Sequence, residues 1–192
     1  MRYAPGHNEA ARERILDAAS RLFREHGIAA VGLAKIMAEA DLTVGTFYTH
    51  FDSKEALLRE ALLQSLQARH EALARALREG DLEMAIRAYL SPEHRDAPGA
   101  GCPVAALAPE VARQPRATRH TFASHVEPSL DALAAWLSRR RGKKVSRADA
   151  AALLGLLAGT LQLARATPDR AESGAILEAG IRAALRLAYG EA

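Results

Sequence analysis

Two stretches carry residue types that could do chemistry. The first is Thr43–Phe51, TVGTFYTHF, with Asp52-Ser53-Lys54-Glu55 behind it. At 100° per residue, Phe47 and Phe51 share one face of a short helix over Thr43–His50 and can anchor it in a core. Gly45, Thr46 and Thr49 fall on the far side, with Tyr48 at its edge. Small polar groups, a glycine and a tyrosine suit close approach to a polar surface such as the DNA major groove. Lys54 stands at the positive end of the next helix, where backbone amides also attract a phosphate. The same spacing fits a plain helical hairpin with two core phenylalanines. The second stretch is Gly101-Cys102-Pro103. Proline favours the first helical position, which puts the sulfur at a helix cap. Free amides and the helix dipole there would favour a thiolate and lower its pKa. The alternative is a small, inert cysteine filling a gap.

Other chemistries find no footing. Of the seven histidines none sits in HExxH, and His120 and His125 are five apart, poor spacing for one metal on one helix. There is no G-x-S-x-G and no phosphate-cradling glycine loop. No catalytic residue, metal or cofactor is expected. A single cysteine excludes an internal disulfide and fits a reducing cytoplasm, the expected location. The N-terminus, MRYAPGHNEAARER, is too polar for a signal peptide. The longest apolar stretch, Ala150–Ala164, falls short of the about 20 residues that span a bilayer, so no membrane is expected. Net charge is +3, yet residues 1–64 hold eight Lys/Arg and nine Asp/Glu, 8 − 9 = −1. Any attraction for phosphate must therefore come from local placement.

The elements that must position these residues read as helices throughout. The chain is rich in Ala, Leu, Arg and Glu, with no alternating apolar runs. Residues 1–8, Arg2 included, read as a loose arm. Helices are expected over Ala10–His26, Leu33–Ala40 and Thr43–His50, with Asp41-Leu42 as a turn. Next come Lys54–Arg78, stopped by Gly80, and Leu82–Leu90, closed by Ser91-Pro92. Pro92–Gly101 reads as a mobile loop. A sixth helix runs from Cys102-Pro103 to about Gln114. A seventh runs from Pro115 to Arg140, with Pro128 kinking or breaking it. Arg139–Lys144 is either a nucleic-acid patch or a helix end where cations complement the dipole. Ser146 and Asp149 form a capping box opening a helix to Ala166. Thr167-Pro168-Asp169 starts the last helix, with Pro at its first position, to Tyr189. Gly155 and Gly159 permit close helix contact. Leu153, Leu154, Leu156, Leu157 and Leu161 wrap much of their helix, a sign of burial on more than one side.

Residues 12–64 resemble the DNA-binding domain of the TetR/AcrR family of bacterial transcriptional repressors. The resemblance lies in RERILDAASRLFREHG (Arg12–Gly27), IMAEADLTVGTFYTHF (Ile36–Phe51) and SKEALL (Ser53–Leu58). The family usually has Gly where this chain has Asp41, a residue that tolerates the left-handed conformation. It often starts the second helix with Thr or Ser, where this chain has Gly32 and Leu33. The resemblance implies an all-α chain of about nine helices. A three-helix helix-turn-helix unit, 1–52, would join a helical effector-binding and dimerisation domain, 53–192. It implies a ligand-responsive homodimer binding a palindromic double-stranded DNA operator and released by a small-molecule inducer. Thr43, Val44, Gly45, Thr46, Tyr48, Thr49, His50 and Lys54 match the family's DNA-contacting positions. By type, Tyr48, His50 and Lys54 suit phosphates, while Val44, Gly45 and Thr46 suit base edges and thymine methyls. The last two helices would pair with a second subunit's. The effector pocket is expected among the middle helices, lined by Leu107, Phe122, His125 and Trp136. Gly101–Ala112, GCPVAALAPEVA, also resembles a segment in a branch of the family. Some members of that branch sense reactive species through this cysteine. Cys102 is thus a candidate sensor. A helical adaptor that binds only protein is the alternative class.

Overall fold

A computed structural model describes residues 5–190. Among them are ten α-helices: α1 (Pro5–His26), α2 (Leu33–Glu39), α3 (Val44–Phe47), α4 (Lys54–Glu79), α5 (Leu82–Tyr89), α6 (Pro92–Asp96), α7 (Pro103–Val111), α8 (Arg116–Arg141), α9 (Arg147–Ala166) and α10 (Arg170–Tyr189). A 3-10 turn, Pro98–Ala100, links α6 to α7. Ser53 caps α4 by accepting from the Ala56 amide at 3.1 Å. Ser146 and Asp149 cap α9 reciprocally, at 3.1 and 2.9 Å. Asp41 is the one non-glycine at positive φ among the described residues, +54°, and lets the chain turn from α2 into α3.

Several expectations need correcting. Pro5–Asn8 belong to α1 rather than to a loose arm, and Arg2 lies outside the described residues. The helix expected over Thr43–His50 is regular only over Val44–Phe47. Beyond it the amides of Thr49 and His50 bond back three residues, to Thr46 and Phe47, so the winding tightens into a turn. Pro168 precedes the cap Asp169 rather than opening α10. α8 passes through Pro128 unbroken. The cations Arg139, Arg140 and Arg141 form its last turn, where Arg141 donates to the Ala188 carbonyl at 3.1 Å.

Pro92–Gly101 is the largest correction. Ser91 caps α6, accepting from the His94 amide at 3.2 Å, and Pro92 takes the first helical position. Arg165 donates to the carbonyls of His94 and Arg95 at 2.7 and 3.0 Å, and Arg24 to that of Gly99 at 2.8 Å. A Cβ on Gly99 would stand 3.0 Å from Arg21 Cγ, so this glycine lets the turn press against α1. Residues that read as loop punctuation are helix starts and a close approach.

Two apolar cores form. One gathers Ile15, Leu22, Phe23, Ile36, Phe47 and Phe51 with Leu57, Leu58, Ala61 and Leu62 of α4 and Leu107 and Val111 of α7. The other gathers Leu77, Ile86, Trp136, Leu137, Leu153 and Ile181 with their neighbours. The first core thus extends past residue 52, and both α4 and α7 run from one core into the other. Leu107 and Cys102 lie on the same nine-residue helix or its cap but belong to different cores.

Candidate functional site

The outward face of the N-terminal unit is built on two buried rings. Phe47 is fully buried and stacks on Phe51 at 5.8 Å between centroids. That anchor turns Val44, Gly45, Thr46, Tyr48 and Thr49 outward. Tyr48 is 66% exposed and Val44 44%. A Cβ on Gly45 would meet only Thr43 Oγ, at 3.9 Å, so the surface over it is open. The hydroxyls of Thr43 and Thr46 bond at 3.0 Å, and Thr49 donates to the Thr46 carbonyl at 2.7 Å. Three threonine hydroxyls are thereby held in fixed orientation on this face, beside the exposed Tyr48 phenol. His50 is half-buried, and burial, then the Arg12 guanidinium, pushes its pKa down.

Few cations here are free. Lys54 does not reach outward: its ammonium donates to the Ile28 carbonyl at 2.8 Å and lies over the Phe23 ring. Arg12 pairs with Glu60, Arg21 with Glu25 and Glu39, and Arg59 with Glu55. Lys35, exposed on α2, has no ion-pair partner among the described residues, and the reading of the sequence passed it over. Its only signal is a charged residue between the buried positions of a short helix.

A cavity of about 540 Å³ lies between α4, α5, α6, α8 and α9. Its walls are mostly apolar: Leu66 and Leu73 from α4, Ile86 from α5, Leu130 and Leu133 from α8, Leu157 from α9. Of the five residues proposed for a pocket, only Cys102 lines it. Leu107 is buried in the N-terminal core, and Phe122 packs against that core. His125 sits one position off the α8 cavity face of Val126, Ser129, Leu130 and Leu133, and its Nδ1 faces the Thr121 carbonyl at 2.7 Å. Trp136 lies one helical turn beyond the cavity, edge-on to Tyr189 at 6.2 Å.

Cys102 is buried at the cap position of α7, but its side chain makes no capping bond to the helix amides. Its own amide donates to His94 Nε2 at 3.0 Å, and His94 Nδ1 donates to the Tyr89 carbonyl at 2.6 Å. This arrangement fixes a neutral imidazole in one tautomer. Burial, reinforced by Arg69 and Arg165, pushes the His94 pKa down against the pull of the Tyr89 carbonyl. A Cβ on Gly101 would come within 2.7 Å of His94 Nε2, so glycine there admits the ring. The fold brings Arg24 and Arg165 into electrostatic range of this thiol, though neither is near it in sequence.

At the other end, α9 and α10 leave an apolar face outward. Leu163 is 64% exposed and Leu187 39%. Gly155 and Gly159 have nothing within 4 Å of a notional Cβ. Leu153, Leu157 and Leu161 are buried inward, and Leu154 and Leu156 are half-buried. Among the described residues no group of acidic, His or Cys side chains could hold a metal, and no helix is long and apolar enough to cross a membrane.

Residues 15–61 match the family described as bacterial regulatory proteins, tetR family. The chain is 41% identical over 73 residues to the HTH-type transcriptional regulator TtgR of Pseudomonas putida. That match covers 38% of this chain and 34% of TtgR, about a third of the relative's length. In structure, the chain resembles a TetR-family transcriptional regulator from Streptomyces coelicolor, with TM-score 0.71 and 25% identity over 94% of this chain and 97% of that one. It also shares the fold of E. coli NemR in its reduced form, with TM-score 0.74 and 23% identity over 92% and 96% of the two chains. Residues 15–61 thus form a tetR-family regulatory domain, and over nearly its whole length the chain has the fold of solved TetR-family regulators.

Proposed function

We propose that this regulator is a dimeric, ligand-responsive repressor in which residues 1–52 read DNA and residues 53–192 bind effector and partner. The observation that carries the reading is the outward face of α3, held by Phe47 and Phe51. Val44, Gly45 and Thr46 are presented to base edges, and Tyr48, Thr43, Thr49 and His50 to flanking phosphates. Lys35 joins the phosphate set. Lys54 acts mainly by tying the α1–α2 turn to the start of α4 through the Ile28 carbonyl. The net charge of −1 over residues 1–64 predicts a shallow dependence on salt for a DNA binder.

The outward apolar face of α9 and α10 supports a two-fold dimer, with the open glycines Gly155 and Gly159 allowing close helix approach. Two recognition units on a two-fold axis call for a palindrome with half-sites about 34–36 Å apart. A repressor of chromosomal DNA would work in the cytoplasm. The effector enters the cavity and shifts α4 and α7, the helices that pass from the cavity region into the N-terminal core. A thiol-reactive inducer is the second reading, favoured by Cys102 in the cavity wall within electrostatic range of Arg24 and Arg165.

The test is a gel shift on the DNA upstream of the chain's own coding sequence, with sedimentation of the free protein. A retarded complex lost in Tyr48→Ala, and a dimer at micromolar concentration, are expected. No retardation, or a monomer, defeats the respective half of the proposal. Alkylating wild type and Cys102→Ser then separates the inducers: equal operator release in both removes the thiol reading.

A further inference from the structure

One polar hydroxyl in the cavity has been left without a partner. Tyr89, only 8% exposed, lines the cavity, and its hydroxyl makes no hydrogen bond among the described residues. The Cys102 thiol adjoins it without reaching hydrogen-bond geometry. Buried phenols normally find an acceptor, because a lost hydrogen bond to water is otherwise not replaced. Directly against this ring lies a cation: the Arg69 guanidinium stands 5.8 Å from the Tyr89 centroid and also lines the cavity. Arg69 is half-buried and has no carboxylate partner among the described residues.

Nothing else in the cavity balances that charge. Glu93 is the one acidic residue in the wall; it is exposed, and its carboxylate is held by its own helix-start amide and by Ser91. His94 has both ring nitrogens engaged and stays neutral. Ser91 accepts from the His94 amide, and Ser129 is paired with His70. The side-chain donors left without a protein partner are therefore one hydroxyl and one forked cation, side by side in a wall that is mostly apolar.

Resting on the reading of this cavity as the effector site, we propose that the effector is an apolar molecule ending in a carboxylate. The carboxylate pairs with the Arg69 fork and accepts from the Tyr89 hydroxyl, while the body packs on Leu66, Leu73, Ile86 and Leu130. Arginine suits this role because its planar donors match a carboxylate in two parallel bonds. The chamber falls within the about 300–1,000 Å³ range of small-molecule sites.

The experiment is calorimetric titration of the full chain, without DNA, by decanoate, 4-butylbenzoate, decan-1-ol and decylamine at pH 7.5. At least one of the two acids is expected to bind at least about tenfold tighter than the alcohol, and the amine not at all. Arg69→Leu should erase the preference for acid over alcohol, and Arg69→Lys should keep part of it. Tyr89→Phe should weaken the acid about three- to tenfold. Circular dichroism melts confirm that each variant is folded. Failure of both acids to bind below 1 mM overturns the proposal. So does an alcohol equal to the acid, or an Arg69→Leu variant that keeps the discrimination. A separate gel shift distinguishes the failures. Operator binding with no acid binding leaves the repressor reading standing and removes the ligand class. Acid binding through Arg69 with no operator binding does the reverse.

Discussion

The two cores of this protein differ in kind. The N-terminal core is closed: Ile15, Val31, Ile36, Met37, Phe47 and Leu57 are each fully buried, in one apolar cluster. The C-terminal core surrounds a chamber that holds an arginine, an unpartnered tyrosine and a cysteine. A closed core has one arrangement and holds α3 rigid, which suits reading a fixed surface. A hollow one has room for a second arrangement and can answer to what fills it. On the proposed function the chain divides these two tasks between the cores, and α4 and α7 run from one core into the other.

Breaking the closed core should have the largest effect. Phe47→Ala removes a fully buried ring that also seats Tyr48, edge-on at 5.1 Å, and Phe51. A loss of about 3–5 kcal/mol is expected, with operator binding abolished. Urea melts followed beside gel shifts check this; a variant within 1 kcal/mol of wild type would show that the core is not closed. The link between the cores comes next. Glu110, near the end of α7, accepts from the amides of Ile28 at 2.8 Å and Ala29 at 3.3 Å, the turn that leads into α2. Glu110→Ala leaves the part-buried Ile28 amide unpaired and frees the exposed Ala29 amide to water, at a cost of about 1 kcal/mol. It should weaken operator binding while leaving ligand affinity in the cavity within about twofold. Normal induction in that variant would move the coupling off α7 and onto α4 alone.

What could be read from the sequence follows the range of the interaction. The caps Ser53, Ser146 and Asp149 and the left-handed Asp41 act within one turn of their own positions, so residue type and spacing reveal them. The rings of Phe47 and Phe51 repeat at helical spacing, so the anchored face of α3 was also legible. The chamber was not. Arg69, Tyr89 and Cys102 come from α4, α5 and the start of α7, and only tertiary packing brings them together. His125 and Val126 show the limit: one residue of rotation decides which faces the chamber, and an amphipathic pattern does not fix that register. Pro92–Gly101 misled because its partners, Arg24 and Arg165, lie about 70 residues away.

Enlarging one residue in each core sharpens the comparison. Leu130→Phe adds volume toward the chamber, where there is space. Ala19→Leu adds it to the closed core, where Ala19 is fully buried. The first should leave stability unchanged or raise it by up to about 1 kcal/mol, and should reduce ligand affinity. The second should cost about 1–3 kcal/mol. Equal destabilisation by both would mean that the chamber is packed shut in solution.

The smallest expected effect separates the cores by their response to acid. In the hollow core, His94 accepts from the Cys102 amide through Nε2 and donates through Nδ1. A proton on Nε2 would face that amide donor, and burial with Arg69 and Arg165 nearby opposes the charge further. The folded-state pKa therefore lies below the unfolded value of about 6.5. As pH falls through that unfolded value, the unfolded chain takes up a proton that the folded chain refuses, so stability falls. Below the folded-state pKa both states are protonated and the loss levels off. In the closed domain, His50 is shifted in the same direction by shallower burial and the Arg12 guanidinium, and should contribute less. His94→Gln should flatten the fall in melting temperature between about pH 7.5 and pH 5.5, while His50→Gln should leave most of it. Melts across that range, with each variant referred to its own value at pH 7.5, read the slope rather than the offset. A slope in His94→Gln equal to that of wild type would show that His94 protonates freely and that its bond to the Cys102 amide does not hold the ring neutral.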